Sequence, residues 1–212
     1  MPLCTIRLIK STTPIISNTY VTLYGFDNIH SHRCALTLAA KKIKYTYATL
    51  TTLPHWYHQP PFYSRAPLLQ IKDKPTPIYG TLEIMQYLQE AFPSHGINLS
   101  LNDPYTSALS RMAITQINKL TTLLPIIEKN SAVDSKTATL LAKLDSQLNS
   151  NDFLYTDEEP TMCDLFAIPY VRAIMRLSLE KKILLEFGKQ YPKLSQWLEK
   201  FYGMKLLEQE NA

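Results

Sequence analysis

One stretch late in the chain, residues 158–172, limits the possible folds more than any other. Thr161 and Asp164 have the spacing of a capping box. In that motif the threonine hydroxyl accepts from the N–H three residues on, and the acidic side chain accepts from the backbone N–H of Thr161. Pro160 prevents a helix from arriving from upstream. Because nearly every side chain after Asp164 is apolar, the pattern predicts a helix buried within a helical domain.

The first half of the chain predicts alternating strands and helices. Residues 19–24 and 44–50 alternate and are rich in β-prone side chains, so both are predicted strands. A helix over 31–43 lies between them, with Ser31 as a natural N-cap. A loop over 53–65 is followed by a strand at 66–71, a turn at 72–74, a strand at 77–79 and a helix at 81–91. This order needs one parallel crossover and one hairpin, which is the thioredoxin-like arrangement.

The second half predicts helices alone. Asp103 and Pro104 have the order of an N-cap and a first helical proline, and Pro125 should bend or end the helix that follows. Further helices are predicted at 140–148, 161–176, 178–187 and from Pro192 onwards. The predicted class is therefore α+β, with an irregular arm at 1–19, a thioredoxin-like domain at 20–93, a linker at 94–103 and an all-helical domain at 104–212.

Charge, cysteines and hydropathy exclude several classes of function. The net charge of +4 comes from interspersed residues, so we expect no direct nucleic-acid binding. No run of eighteen apolar residues predicts a membrane span. The cysteines, Cys4, Cys34 and Cys163, form no Cys-x-x-Cys pair, which favours a reduced, cytoplasmic location. His55 and His58 favour a packed loop over a metal site, and we expect neither metal nor cofactor.

Three motifs resemble the glutathione S-transferase superfamily. Phe153 and Leu154, followed by Thr161 and Asp164, are similar to its Phe-Leu…Ser/Thr-x-x-Asp signature. Residues 191–197 resemble its terminal helix motif, Tyr/Phe-Pro-x-Leu-x-x-Trp. The pair Ala66–Pro67 stands where the superfamily keeps a cis-proline before its third strand. The resemblance covers about residues 20–205 and implies a thioredoxin-like domain followed by a helical domain.

Within that superfamily, the chain resembles the bacterial stringent starvation protein A family. Residues 29–32 are similar to that family's Ile-Tyr-Ser-His, and residues 86–93 resemble its Met-Glu-Tyr-Leu-Asp-Glu-Arg-Phe-Pro. Ala35 and Lys42 depart from it, because an arginine and a glycine are usual there. The resemblance implies a non-catalytic homodimer that associates with RNA polymerase and regulates transcription.

The glutathione pocket of the superfamily has only partial counterparts in this chain. A transferase needs a hydroxyl or thiol that stabilises a thiolate, yet residues 28–31 contain no cysteine. Tyr24 and Ser31 are the alternative hydroxyl donors, although a strand-end aromatic and a helix cap explain them better. Gly80 and Thr81 replace the usual Glu/Gln-Ser/Thr pair, and Thr81 can serve as a helix cap. Without the acidic or amide side chain at position 80, the amino group of glutathione loses a hydrogen-bonding partner. That loss costs about 1.5–3 kcal/mol of binding free energy. We therefore expect a vestigial pocket formed by Asn28, Ala66, Pro67, Gly80 and Thr81.

The strongest candidate for a functional surface is the segment after the helix predicted at 81–91. It comprises Phe92, Pro93, Ser94, His95 and Gly96, and it should display His95 in an exposed loop. The resemblance implies contact with the transcription machinery there, whereas proline and glycine are equally typical of a linker. The leading hypothesis is a polymerase-associated regulator. The alternative is a glutathione S-transferase or glutathione-binding protein.

Overall fold

The computed structural model describes residues 20–49, 65–130, 132–148, 152–156, 158–181 and 187–204. The chain forms two compact units that divide between Ile97 and Asn98. The predicted α+β class is confirmed. The strands are β1 (Val21–Gly25), β2 (Thr46–Thr49), β3 (Leu68–Ile71) and β4 (Ile78–Tyr79), and the helices are α1 (Ile29–Ala40), α2 (Thr81–Ala91), α3 (Pro104–Thr121), α4 (Leu124–Asn130), α5 (Ser135–Gln147), α6 (Met162–Lys181), α7 (Phe187–Gln190) and α8 (Pro192–Gly203).

The first unit is built on a four-stranded mixed sheet in the order β2-β1-β3-β4. β1 pairs parallel with β2 and antiparallel with β3, and β3 pairs antiparallel with β4. The predicted crossover and hairpin are therefore both present. Alternate residues of β1, Val21 and Leu23, are fully buried and pack with apolar residues of β3, α1 and α2, since successive strand side chains point to opposite faces. This core holds α1 and α2 against the sheet.

The amino end of α1 differs from the prediction. The helix begins at Ile29, and its N-cap is Asn28 rather than Ser31. Asn28 has extended backbone angles, and its side-chain oxygen accepts from the Ser31 N–H over 3.0 Å. Asparagine and serine cap helices about equally well, so the upstream residue could extend the helix by a turn. Ser31 lies inside that first turn.

The second unit contains only helices among its described residues. Asp103 caps α3 as predicted, with its carboxylate 2.7 Å from the Thr106 nitrogen. The helix ends at Thr121, and Pro125 is the second residue of α4. The predicted break between 176 and 178 is wrong, because α6 continues to Lys181. Ser178 is accommodated there because its hydroxyl donates to the Ile174 carbonyl over 2.7 Å.

The predicted capping box is present in part and is enlarged by other contacts. The buried Asp164 carboxylate accepts from the Thr161 N–H over 2.8 Å, as predicted. However, the Thr161 hydroxyl donates to the same carboxylate over 2.7 Å. The Leu154 N–H and the Trp197 indole also donate to Asp164, over 2.9 and 3.0 Å. Asp164 therefore ties the start of α6 to the preceding loop and to α8.

Some predicted features lie outside the described residues. These are the arm at 1–19, the loop at 53–65 apart from Arg65, the histidines at 55 and 58, and residues 182–186 of the helix predicted at 178–187. Across the helices that the structure does describe, none is long and apolar enough to cross a membrane.

Candidate functional site

Hydrogen bonds from two side-chain hydroxyl groups to the backbone of Phe26 fix the short loop between β1 and α1. The Ser31 hydroxyl oxygen accepts from the Phe26 N–H over 3.2 Å, and the Tyr47 hydroxyl donates to the Phe26 carbonyl over 2.9 Å. Gly25 is required beside them, because a β-carbon there would collide with the Ser31 hydroxyl. Ser31 is fully buried. Its hydroxyl oxygen therefore holds the loop, and the side chain is closed off from solvent.

Residues 28–31, where a thiol-dependent member of this fold would carry a cysteine, begin with Asn28 and contain no thiol. Asn28 uses its side-chain oxygen to cap α1. The two cysteines within the described residues, Cys34 and Cys163, are both buried. Burial raises the pKa of both thiols well above the ordinary value. Neither thiol is therefore ionised near neutral pH, and neither has the exposed, electropositive surroundings of a reactive cysteine.

Tyr24, the alternative hydroxyl donor, lies near the end of β1. Its side chain is partly buried, and burial raises the pKa of its hydroxyl above the ordinary value. A thiolate-stabilising tyrosine works best with an acidic hydroxyl, so this shift is in the opposite direction. The phenol stays protonated at neutral pH and can act as a neutral hydrogen-bond donor or acceptor.

The structure brings most of the predicted glutathione pocket together at the amino end of α2. The Ala66–Pro67 peptide bond is cis, as the resemblance implied. The Gly80 N–H donates to the Pro67 carbonyl over 3.3 Å. Thr81 does not cap α2 as expected, because it is the first residue of the helix and the N-cap is Gly80. Instead, the Thr81 hydroxyl lies 3.1 Å from Nδ1 of His30.

His30 is a site residue that the sequence interpretation did not assign. It lies in the first turn of α1, two residues after Asn28, and joins that helix to α2 through Thr81. Burial lowers the pKa of its imidazole, and the nearby Arg33 charge lowers it further. His30 is therefore neutral at physiological pH. Its only sequence signal is its place in the segment at 29–32.

Glu83 is a second site residue without an assigned role in the sequence interpretation. Gly80 has a φ of +97°, and Glu83 lies one turn into α2. The Glu83 carboxylate carbon lies 2.8 Å from where a β-carbon of residue 80 would be. An acidic group therefore lies against Gly80, although residue 80 itself has no side chain.

The loop at Phe92–Gly96 is exposed but ordered by contacts within the first unit. The His95 N–H donates to the Phe92 carbonyl over 3.2 Å. The rings of the two residues form an edge-to-face pair with centroids 5.6 Å apart. Pro93, Ser94 and His95 are exposed, while Phe92 is half-buried. The loop thus presents an imidazole on a defined turn.

No other described feature forms an alternative site of comparable chemistry. A cavity of about 550 Å³ in the second unit is lined by residues that include Leu120, Leu123, Lys136 and Leu140, and it contains no predicted site residue. Among the residues that the structure describes, no group of three histidine, cysteine or acidic side chains could hold a metal ion. The candidate sites are therefore the pocket at the starts of α1 and α2 and the Phe92–Gly96 loop.

Comparison with known proteins shows which fold this chain shares. Residues 19–90 match the family model for the glutathione S-transferase N-terminal domain. A rice glutathione S-transferase, GST1, solved with glutathione, superposes with a TM-score of 0.74 at 16% identity, covering 92% of this chain and 91% of its own. Glutathione transferase Omega 1C from Trametes versicolor superposes with a TM-score of 0.73 at 18% identity, with 91% of each chain covered. A Tau class glutathione S-transferase from mango, Mangifera indica, superposes with a TM-score of 0.73 at 19% identity, covering 91% of this chain and 92% of its own.

The chain therefore has the glutathione S-transferase fold: a thioredoxin-like domain with a mixed sheet, followed by a helical domain. The family match is confined to residues 19–90, and the structural similarity extends the shared fold over more than nine-tenths of the chain. No curated protein sequence matches the chain significantly.

Proposed function

We propose that this protein is a non-catalytic regulator of glutathione S-transferase fold that acts by binding RNA polymerase. The observation that carries its non-catalytic character is the internal use of the pocket's polar groups. Ser31 accepts from Phe26, Asn28 caps α1, and Thr81 is bonded to His30. Ser31 is also fully buried, so its hydroxyl hydrogen is closed off from a bound thiol, and the side-chain oxygen of Asn28 is occupied by its cap.

The choice of partner rests on the family resemblance and on the exposed loop. Residues 86–93 are similar to the stringent starvation protein A family, and the loop follows them directly. His95 is exposed on that loop, and Phe92 supports its ring. A fixed aromatic and imidazole pair suits a protein contact, because little side-chain freedom is lost on binding. The loop is the proposed surface for the polymerase.

Purified RNA polymerase tests this proposal directly. Immobilised protein should retain the polymerase at micromolar concentration, and His95→Ala should weaken retention about tenfold or more. Gln86→Ala, an exposed change on α2 of the same unit, should leave binding unchanged. Failure of the unmodified protein to bind would reject the proposal.

Glutathione binding is the second candidate, and the position of Glu83 favours it. The sequence lacks the acidic or amide residue at position 80, but the Glu83 carboxylate lies against that position. It could pair with the ligand's amino group, while the first-turn amides of α2 could receive a carboxylate. Several structural neighbours are glutathione transferases. This candidate is compatible with a non-catalytic pocket.

Calorimetric titration with glutathione distinguishes the two candidates. Binding that Glu83→Gln weakens about tenfold, with no change for Glu90→Gln on the same helix, would support a glutathione pocket. Turnover of an electrophilic substrate that is lost in Tyr24→Phe or Ser31→Ala would make the protein a transferase and overturn our ranking.

We also propose that the protein acts as a homodimer. In the superfamily, the usual interface combines the last helix of the thioredoxin-like domain with the first helix of the helical domain. On that latter helix, α3, Tyr105 and Met112 are 72% and 58% exposed. Large exposed apolar side chains of this kind are typical of interaction surfaces.

A further inference from the structure

Lys41, directly after α1, is a fully buried charged residue that the proposed function does not yet use. Its ammonium donates to the Gln89 side-chain oxygen over 3.0 Å and to the Ile97 carbonyl over 2.9 Å. Gln89 belongs to α2, and Ile97 follows the Phe92–Gly96 loop. The ammonium therefore joins the end of α1 to residues on both sides of that loop.

Burying an ammonium group is unfavourable unless hydrogen bonds replace its water. Here the two acceptors stand eight residues apart, and the loop between them contains Phe92 to Gly96. An ammonium that must keep both acceptors also keeps the two ends of the loop at a fixed separation. The charge is thus a constraint on loop conformation, which an apolar side chain of the same length would not provide.

Backbone contacts complete this attachment at the carboxyl end of the loop. The Ile97 N–H donates to the Ala40 carbonyl over 2.9 Å. Gly96 has a φ of +57°, and a β-carbon there would collide with the same carbonyl oxygen. Only glycine fits this close approach without strain. The backbone at Gly96 and Ile97 therefore packs directly against the end of α1.

The amino end of the loop is closed by different contacts. The Phe92 N–H donates to the Leu88 carbonyl at the end of α2, and the His95 N–H donates to the Phe92 carbonyl, each over 3.2 Å. The edge-to-face pair of Phe92 and His95 adds a side-chain contact. Both ends are fixed within the first unit, so the imidazole is held in place before any partner arrives.

We infer that Lys41 is a positioning residue that preorganises the Phe92–Gly96 loop for binding a protein partner. This inference rests on the proposed function for the identity of the partner, but not for the loop geometry. A loop that is already ordered loses little conformational entropy on association, which strengthens binding. Lys41 touches no partner in this scheme. It acts through Gln89 and Ile97.

Amide hydrogen exchange on the isolated protein tests the loop geometry. Lys41→Met keeps the length of the side chain but removes the donor. Exchange at the His95 and Ile97 amides should become about tenfold faster or more, while β1 amides keep their protection. The same change at Lys44, which is exposed and belongs to the same unit, should have no effect. Unchanged exchange at Ile97 in Lys41→Met would overturn the inference.

A second variant covers the case in which Lys41→Met loosens the whole unit and β1 exchanges faster as well. Gln89→Met removes one acceptor and leaves the bond to the Ile97 carbonyl. It should accelerate Ile97 exchange about threefold with β1 unaffected. If Gln89→Met also left Ile97 unchanged, Lys41 would be a purely structural residue.

Polymerase affinity then separates this inference from the proposed function. If the unmodified protein binds polymerase, Lys41→Met should weaken binding about tenfold, and Lys44→Met should not. The ring-current shift that Phe92 should cause in the His95 ring resonances should be lost in the same variant. If the unmodified protein does not bind polymerase, the proposed function fails, and exchange at Ile97 alone still decides the role of Lys41. Faster exchange with unchanged polymerase affinity would reject the preorganisation argument.

Discussion

The Trp197 indole donates a hydrogen bond to the buried Asp164 carboxylate over 3.0 Å, joining α8 to the start of α6. Three further donors from Leu154 and Thr161 reach the same carboxylate. Burial raises the pKa of Asp164, and these four hydrogen bonds oppose that shift. The terminal helix α8 and the capped helix α6 are therefore connected through one buried hydrogen-bond network around Asp164.

Trp197→Phe should destabilise the helical unit by about 1.5–3 kcal/mol, because it removes a donor to a buried acidic group. The aromatic ring that packs edge-to-face on Phe201 is retained. Urea denaturation followed by circular dichroism measures the change. A loss below half a kcal/mol would show that the indole contact contributes little.

Thr161→Val should destabilise the protein by a similar amount, about 1.5–3 kcal/mol, because it removes the hydroxyl while keeping the shape. Thr161→Ser retains the hydroxyl and is the matched control. Since Thr161 and Trp197 share one carboxylate, the double variant should depart from additivity by about 0.5 kcal/mol or more. Polymerase binding should be unchanged in whatever fraction folds. Full stability combined with lost binding would contradict the structural role of Thr161.

Stability should fall as the pH drops below about 6.5, the ordinary pKa of histidine, partly because of His30. The folded state lowers the pKa of His30, so the unfolded chain takes up a proton that the folded chain resists. The loss continues down to the folded pKa. His30→Gln keeps a polar partner for Thr81 and cannot be protonated, so it isolates this contribution from the other histidines.

The measurement is the free energy of unfolding of both proteins between pH 7.5 and 5, a range chosen about the histidine pKa. The unmodified protein should lose stability relative to His30→Gln as the pH falls. Parallel curves would show that His30 is not held neutral by burial and by Arg33.

Met112→Asp should shift the proposed dimer towards monomer, because it places a carboxylate on an apolar contact surface. Leu179→Asp on α6 is the matched control, since Leu179 and Met112 are both 58% exposed. Light scattering at micromolar protein concentration reports the mass. A monomeric unmodified protein, or equal effects of the two changes, would contradict an interface on α3.

Local patterns in the sequence were sufficient to predict the α+β architecture. Asp103 and the segment at 158–172 contain helix-capping and helix-breaking residues. Because these residues act over a few positions, the helices that begin there could be predicted. The α1 boundary was missed because Asn28 and Ser31 are both good caps within one turn. The break near 176 was wrong because Ser178 satisfies its hydroxyl inside the helix.

The candidate site depended on contacts that no local pattern contains. His30 and Thr81 are 51 residues apart, and Asp164 and Trp197 are 33 apart. The position of Glu83 against Gly80 depends on the unusual backbone at Gly80. Likewise, the burial of the Ser31 hydroxyl follows from the way that the loop folds back over it. Such features require the packed structure.

The Asn28 cap has a consequence for which side chains the start of α1 can tolerate. The residue at this place must cap α1, and serine can do so about as well as asparagine. Exchange between the two would therefore place a hydroxyl at the start of α1 at little cost to stability. Asn28→Ser thus changes the chemistry of this position while the helix still begins at Ile29.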